Sequence, residues 1–174
     1  YTLDQPDDFN ALLIVPPHLC DQWEDELQQR FLFEQELGVR VHVVPYTDVN
    51  RIRALGKQVG MLIIDEAHQI ARFAHSSASI ERQFFTSVQR IAERVNRLLL
   101  LSATPVLHNE AGYLAMLHLL DPVIYPLNEV DAFREKIQKR QEIAELFHSF
   151  TPETDDYFLE TFTYELQDHF PNDA

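Results

Sequence analysis

The sequence predicts an α/β fold built on a parallel sheet, and three observations carry that prediction. Short apolar runs at 11–15 (ALLIV), 61–64 (MLII) and 98–101 (LLLL) lack the alternation of a half-solvated strand, as strands covered on both faces do. Between them lie segments whose apolar residues recur every three or four positions, the period of an amphipathic helix. Two of the runs end in polar side chains, Asp65-Glu66 and Ser102-Ala103-Thr104, at the strand ends where open α/β sheets place their ligands.

Taken in order, residues 1–10 are a polar leader, and the run at 11–15 is a strand closed by Pro16 and Pro17. Leu19, Trp23, Leu27 and Phe31 then share one face of a helix ended near Gly38. Residues 39–46 (VRVHVVPY) are rich in β-branched side chains and predict a second strand. A short helix over 48–57 buries Val49, Ile52 and Leu55, and Gly60 precedes the strand at 61–64. A loop follows His68, with Ser79 as cap of a helix whose buried side is Ile80, Phe84, Val88, Ile91 and Val95. The leucine strand at 98–101 comes next. Asn109 caps a helix over 110–120 with Tyr113, Leu117 and Leu120 on one face. Asn128 caps another over 129–150, burying Val130, Phe133, Ile137, Ile143 and Phe147, and a last helix covers roughly 158–166. The alternation of strand and helix implies right-handed crossovers between parallel strands, with added helices at the C-terminal end.

Composition narrows the function classes. At 174 residues with 45% apolar content, the chain is long enough for a proper core. A single cysteine, Cys20, excludes an internal disulfide framework or a thiolate metal cage and points to a reducing, intracellular setting. The apolar runs are too short to span a membrane, so no membrane partner is expected. The net charge of −14 argues against the chain as a whole gripping a phosphate backbone, so any nucleic-acid contact must be local; solubility is the preferred explanation of the charge itself. Arg82, Arg90, Arg94 and Arg97 form a basic stripe diluted by Glu81 and Glu93, which reads as a solvated helix face.

The two polar strand ends are the candidate site. A nucleotide hydrolase needs an acid to hold Mg²⁺ and a second polar group to position the attacking water. Asp65 suits the first role and Glu66 the second; alternatively, both merely place negative charge at the start of the following helix. Trp23 reads as a core residue beside Leu19 and Leu27, His18 as a surface residue, and Cys20 as an inert small side chain.

Asp65-Glu66-Ala67-His68 at one strand end, with Ser102-Ala103-Thr104-Pro105 at another, resembles motifs II and III of the superfamily-two helicase ATPases. Leu13-Ile14-Val15-Pro16-Pro17, then Leu19, Gln22-Trp23 and Glu26-Leu27, resembles motif Ia of the Swi/Snf branch, and Leu119-Leu120-Asp121-Pro122 resembles the segment after motif III. Within that branch the look is nearest to its bacterial, RNA-polymerase-associated members. The resemblance covers about 11–126, with weaker continuity to Phe147.

It implies a RecA-like lobe of the P-loop NTPase type. It also implies an ATP hydrolase that translocates on double-stranded DNA, with Mg²⁺ and ATP as cofactors, RNA polymerase or another protein as partner, and a cytoplasmic, nucleoid-associated location. By resemblance, Asp65 contributes to Mg²⁺ coordination, Glu66 polarises the hydrolytic water and His68 links the nucleotide to motif III. Ser102, Ala103 and Thr104 couple nucleotide state to lobe movement, and Pro17 and His18 lie near the nucleic-acid backbone. His18 stands where the family more often has Ser or Thr.

The glycine-rich G-x-x-x-x-G-K-S/T loop is not in the sequence, whose four glycines are scattered. The expectation is therefore a partial first lobe at 11–126 with a helical extension at 127–174, part of a longer motor and inactive alone. The alternatives are a RecA-like interaction module that has lost ATP binding, or an RNA-unwinding DEAH helicase.

Overall fold

Four strands, β1 (Ala11–Val15), β2 (Val41–Pro45), β3 (Met61–Ile64) and β4 (Arg97–Leu100), form one parallel sheet in the order β2-β1-β3-β4. The computed structural model in which they are seen describes residues 10–32, 34–103 and 109–148, the last segment without the side chains at 146 and 147. β1 sits between β2 and β3, with Leu13 beside Val43 and Ile63, and β3 pairs Ile64 with Leu100. Parallel neighbours need crossovers, and each connection carries helix. α1 (Cys20–Gln29) joins β1 to β2, and α2 (Val49–Leu55) joins β2 to β3. α3 (Ala67–Ala71) and α4 (Ser79–Ala92) join β3 to β4, and α5 (Glu110–Leu120) follows. This is the parallel α/β architecture expected of a RecA-like lobe.

Successive strand residues point to opposite faces, so the sheet has two cores. On one, Leu12, Ile14, Val44, Leu62 and Ile64 meet Ile52 of α2, Ile70 of α3, Phe84, Phe85 and Val88 of α4, and Ala115 and Leu119 of α5. Leu12, Ile14, Leu62 and Ile64 are fully buried, each contributing about 1.5–3 kcal/mol of apolar burial. On the other, Leu13, Val15, Val41 and Val43 pack on Leu27 and Trp23 of α1.

The chain divides into two compact units, 1–128 and 129–174. Within the second, α6 (Val130–His148) is described, and Val130, Phe133, Ile137 and Ile143 are only partly buried. The expected helix at 158–166 and the side chain of Phe147 lie outside the described residues. Among those residues no helix is long and apolar enough to cross a membrane.

Several elements depart from their sequence expectation for identifiable reasons. α1 stops at Gln29: Phe31 N–H turns back to the Glu26 carbonyl, and Leu32 takes a left-handed φ of 57°, so Phe31 leaves the helix face and is 63% exposed. β2 starts two residues late because Val39 and Arg40 are held in a turn on the Glu36 carbonyl, with Gly38 at φ 79°. Pro45 is tolerated because β2 is the outermost strand on its side of the described sheet.

The loop expected after His68 begins instead with α3, whose Ala67, Ile70 and Ala71 are fully buried; five residues are too few to show a helical period. Ser79 is not the cap of α4. Ala78 holds that position, and the Ser76 hydroxyl oxygen accepts from the Ala78 N–H. The buried face of α4 is rotated toward Phe84, Phe85, Val88, Ile91 and Ala92, leaving Ile80 76% exposed. β4 begins one residue early, and Leu99, on the face shared with Ile63, lies beyond the cover of α1 and is 42% exposed. In α5 the buried residues are Gly112, Leu114, Ala115, His118 and Leu119, with Leu120 exposed. His118 turns its Nδ1 to the Tyr125 carbonyl at 2.7 Å. Asn109 does cap α5, accepting from the Gly112 N–H at 2.9 Å.

Candidate functional site

The site forms where β3 and β4 end. Past Ile64 the Asp65 N–H still bonds to the Ile14 carbonyl at 2.9 Å, so the ladder with β1 carries the acid to the rim of the sheet. Both carboxylate oxygens of Asp65 accept a hydrogen bond. Trp23 Nε1–H donates to Oδ2 at 2.8 Å, and the Glu66 N–H donates to Oδ1 at 2.9 Å. A donor on each oxygen fixes the plane of the carboxylate.

Glu66 adopts the left-handed conformation, φ 48° and ψ 47°, and so turns the chain from strand into α3. For a residue other than glycine this costs about 1–2 kcal/mol, and strain of this kind clusters at functional sites. The turn is held from both sides: Ala67 N–H bonds to the Leu101 carbonyl and Leu101 N–H to the Ile64 carbonyl, each at 2.9 Å.

His68, on the first turn of α3, joins the two strand ends. Its Nδ1 is 3.1 Å from Glu66 Oε2 and 3.1 Å from Ser102 Oγ, so an Nδ1–H tautomer lies between the two oxygens. Only the Ser102 approach has hydrogen-bond alignment. Glu66 Oε2 is buried and has no hydrogen-bond donor among the described residues, although it sits at ion-pair distance from the imidazole. The result is a carboxylate oxygen with open acceptor capacity beside an imidazole ring.

The structure therefore brings Asp65, Glu66, His68 and Ser102 together. Ala103 is exposed beyond Ser102, and Thr104 lies outside the described residues. Pro17 and His18 are exposed in a 3-10 turn that follows β1, at the same edge of the sheet. The α1 N-terminus behind them has no side-chain cap.

Sequence reasoning missed two residues. Trp23 is packed on the α1 side as expected, but its indole N–H reaches Asp65 across 42 positions of chain. A half-buried tryptophan needs an acceptor for that N–H, and this was the available signal. Tyr46 donates from its hydroxyl to Gln69 Oε1 at 2.7 Å and so pins α3 to the end of β2; no local pattern announces it. Cys20, at the start of α1, is a free and partly buried thiol. Its Sγ faces the Pro16 carbonyl at 3.9 Å, and burial, then the charges of Glu24 and Asp21, push the thiol pKa up against the opposing effect of Arg51.

Among the described residues no three His, Cys, Asp or Glu side chains cluster as a metal cage. Mg²⁺ does not need one, because it keeps several waters and takes one or two carboxylates together with substrate phosphates. A single oriented carboxylate, Asp65, with the open oxygen of Glu66 next to it, fits that donor chemistry.

No family model matches the chain. Curated relatives do. The chain is 30% identical over 156 residues to the RNA polymerase-associated protein RapA of Stutzerimonas stutzeri, a match covering 78% of the chain and 16% of that protein. RapA of Pasteurella multocida is 29% identical over 166 residues, covering 80% and 16%, and RapA of Histophilus somni 28% over 170 residues, covering 82% and 17%. The chain thus spans about one sixth of the length of these relatives. Over about four fifths of its own length it is a relative of one segment of the RapA proteins, in agreement with the Swi/Snf resemblance of its motifs.

Proposed function

We propose that this chain supplies the metal- and water-handling half of an ATP site in a Swi/Snf-type motor that moves on double-stranded DNA. The observation that carries the reading is the open, buried Oε2 of Glu66, held beside His68 Nδ1, which is itself 3.1 Å from Ser102. An acceptor without a donor, at a strand end beside an oriented carboxylate, is what polarisation of an attacking water requires. Glu66 occupies the N-cap position of α3, but in left-handed backbone, and its side chain makes no cap bond, so capping does not account for where the carboxylate is held.

In this reading Asp65 holds Mg²⁺, directly or through water, and Trp23 fixes its carboxylate. Glu66 takes a proton from the attacking water, and His68 passes the state of the nucleotide to Ser102 and so to motif III, including Ala103 and Thr104. Bound Mg²⁺ neutralises charge on the phosphates. Pro17 and His18 stand at the rim where a nucleic-acid backbone would pass. The phosphate cradle is not in this sequence, so hydrolysis is a property of the whole protein that carries the chain. The relatives are RNA polymerase-associated proteins, which makes RNA polymerase the first partner to test, and a cytoplasmic, nucleoid-associated location goes with it.

The test is ATP hydrolysis by the full-length protein with and without duplex DNA. Turnover should be Mg²⁺-dependent and stimulated by DNA, and Glu66→Gln should abolish it while ATP binding persists. Retained turnover in Glu66→Gln, or no response to DNA, would refute the reading.

A further inference from the structure

The arginines that look diluted along the sequence are sorted by the fold. A groove of about 620 Å³ runs between α2 and α4, and five cations line it: Arg53, Lys57, Arg82, Arg90 and Arg94. No acid does. The two acids that interrupt the stripe are engaged elsewhere, Glu81 accepting from the Ser76 hydroxyl and Glu93 from Gln89 Nε2. In a chain of net charge −14, five positive side chains in one concavity are a marked segregation.

The groove is built rather than incidental. Arg53 Nε donates to Ser87 Oγ at 3.0 Å, tying its two walls together. Arg94 Nη2 donates to the Gly56 carbonyl at 3.1 Å, and Gly56 admits Ile91 so closely that a Cβ there would lie 2.3 Å from Ile91 Cδ1. Arg82 is held against the Ser76 and Ser77 carbonyls. The Lys57 and Arg90 side chains have no hydrogen-bond or ion-pair partner among the described residues, although the Arg90 carbonyl accepts from Arg94 Nε at 2.9 Å, so two side-chain charges in the groove are free.

We infer that this groove holds the phosphodiester backbone of a nucleic-acid duplex, at a place separate from the strand-end site. Four of the five cations are arginines, whose planar fork suits phosphate oxygens. Hydroxyls of Ser79 and Thr86 lie among them, as in backbone-positioning contacts. The lining contains no aromatic ring on which an unstacked base could rest, which favours a duplex over a single strand. An acidic polypeptide would want apolar anchors, and the groove offers only Ile91. From Arg82 to Arg90 α4 rises about 12 Å, the axial rise of about three to four nucleotides of one duplex strand. Lys57 and Arg94 sit just before the amino ends of β3 and β4, whereas Asp65 and Ser102 follow the carboxyl ends, so the two sites occupy opposite edges of the sheet.

The experiment is fluorescence anisotropy of a labelled DNA duplex titrated with the full chain, without nucleotide, over a range of salt. Lys57→Gln with Arg90→Gln should weaken binding by about tenfold at low salt and make the log K against log salt slope shallower by about 1–2, at ~0.9 for each phosphate no longer neutralised. Arg30→Gln with Arg40→Gln removes the same charge outside the groove and should change neither quantity. Circular dichroism melts should show both double variants folded like the parent. Equal losses in the two double variants, no loss in the first, or no binding by the parent would overturn the inference. Stronger displacement of the duplex by poly-glutamate than by unlabelled duplex at equal charge would overturn it in favour of an acidic polypeptide. Because no ATP is present, these outcomes are independent of whether Glu66 is catalytic.

Discussion

Replacing Trp23 by phenylalanine removes one hydrogen bond and leaves an aromatic ring on the same face of α1. In the parent, Nε1–H donates to Asp65 Oδ2 at 2.8 Å, and both side chains are partly buried. A hydrogen bond to a charged group contributes about 1.5–3 kcal/mol. Solvent reaches both partners and screens the charge, which brings this one to the bottom of that range or just below it, about 1–1.5 kcal/mol. The smaller ring also packs less well against the second core, so the single variant overstates the bond. A double-mutant cycle with Asp65→Ala isolates it, and the expected coupling is again about 1–1.5 kcal/mol. Urea unfolding followed by circular dichroism is the assay, because Trp23 is the only tryptophan and its fluorescence disappears with the mutation. A coupling within about 0.5 kcal/mol of zero would refute the claim that Trp23 anchors the acid. In the full-length protein the same substitution should raise the Mg²⁺ concentration needed for turnover more than it lowers the maximal rate.

Other perturbations test the site and its support. Glu66→Gly should stabilise the chain by about 0.5–1 kcal/mol in urea unfolding, since glycine relieves the left-handed strain less its own entropy cost, while the full-length protein loses hydrolysis. Gly56→Ala should cost about 1–3 kcal/mol because its Cβ meets Ile91 Cδ1, and adding Ile91→Val, which deletes that atom, should recover part of the loss. Burial, then the charge of Arg51, holds the His42 pKa below 6.5 in the folded chain, outweighing a bond to the Val39 backbone. The unfolded state therefore binds more protons as pH falls below 6.5, and stability should drop from pH 7.5 to pH 5; His42→Gln should flatten that slope in pH-dependent urea melts.

The site was legible wherever its chemistry is local in sequence. Asp65 and Glu66 end an apolar run, Ser102 ends another, and a parallel sheet brings such ends to one rim. His68 was legible only through its resemblance to a motif, because nothing in periodicity places a ring between Glu66 and Ser102. Trp23 was read as core since its helical spacing matches Leu19 and Leu27; the indole's polar tip carries no period. α3 escaped because five residues are too few to show a helical period, and the face of α4 was misplaced by about one position because Phe84 and Phe85 are both buried.

By itself the sequence determined the parallel α/β class, the strands that form the sheet and the acids delivered to its edge, because burial on two faces and a strand's end are local properties of a chain. Only the tertiary structure decided which polar groups meet: Trp23 with Asp65, His68 with both Glu66 and Ser102, Tyr46 with Gln69. It also separated five cations from the acids that surround them in sequence, because rotation about a helix and the approach of a second helix set charge distribution in space. Contacts between distant residues depend on how elements pack, and packing is a property of the whole core rather than of any stretch of it.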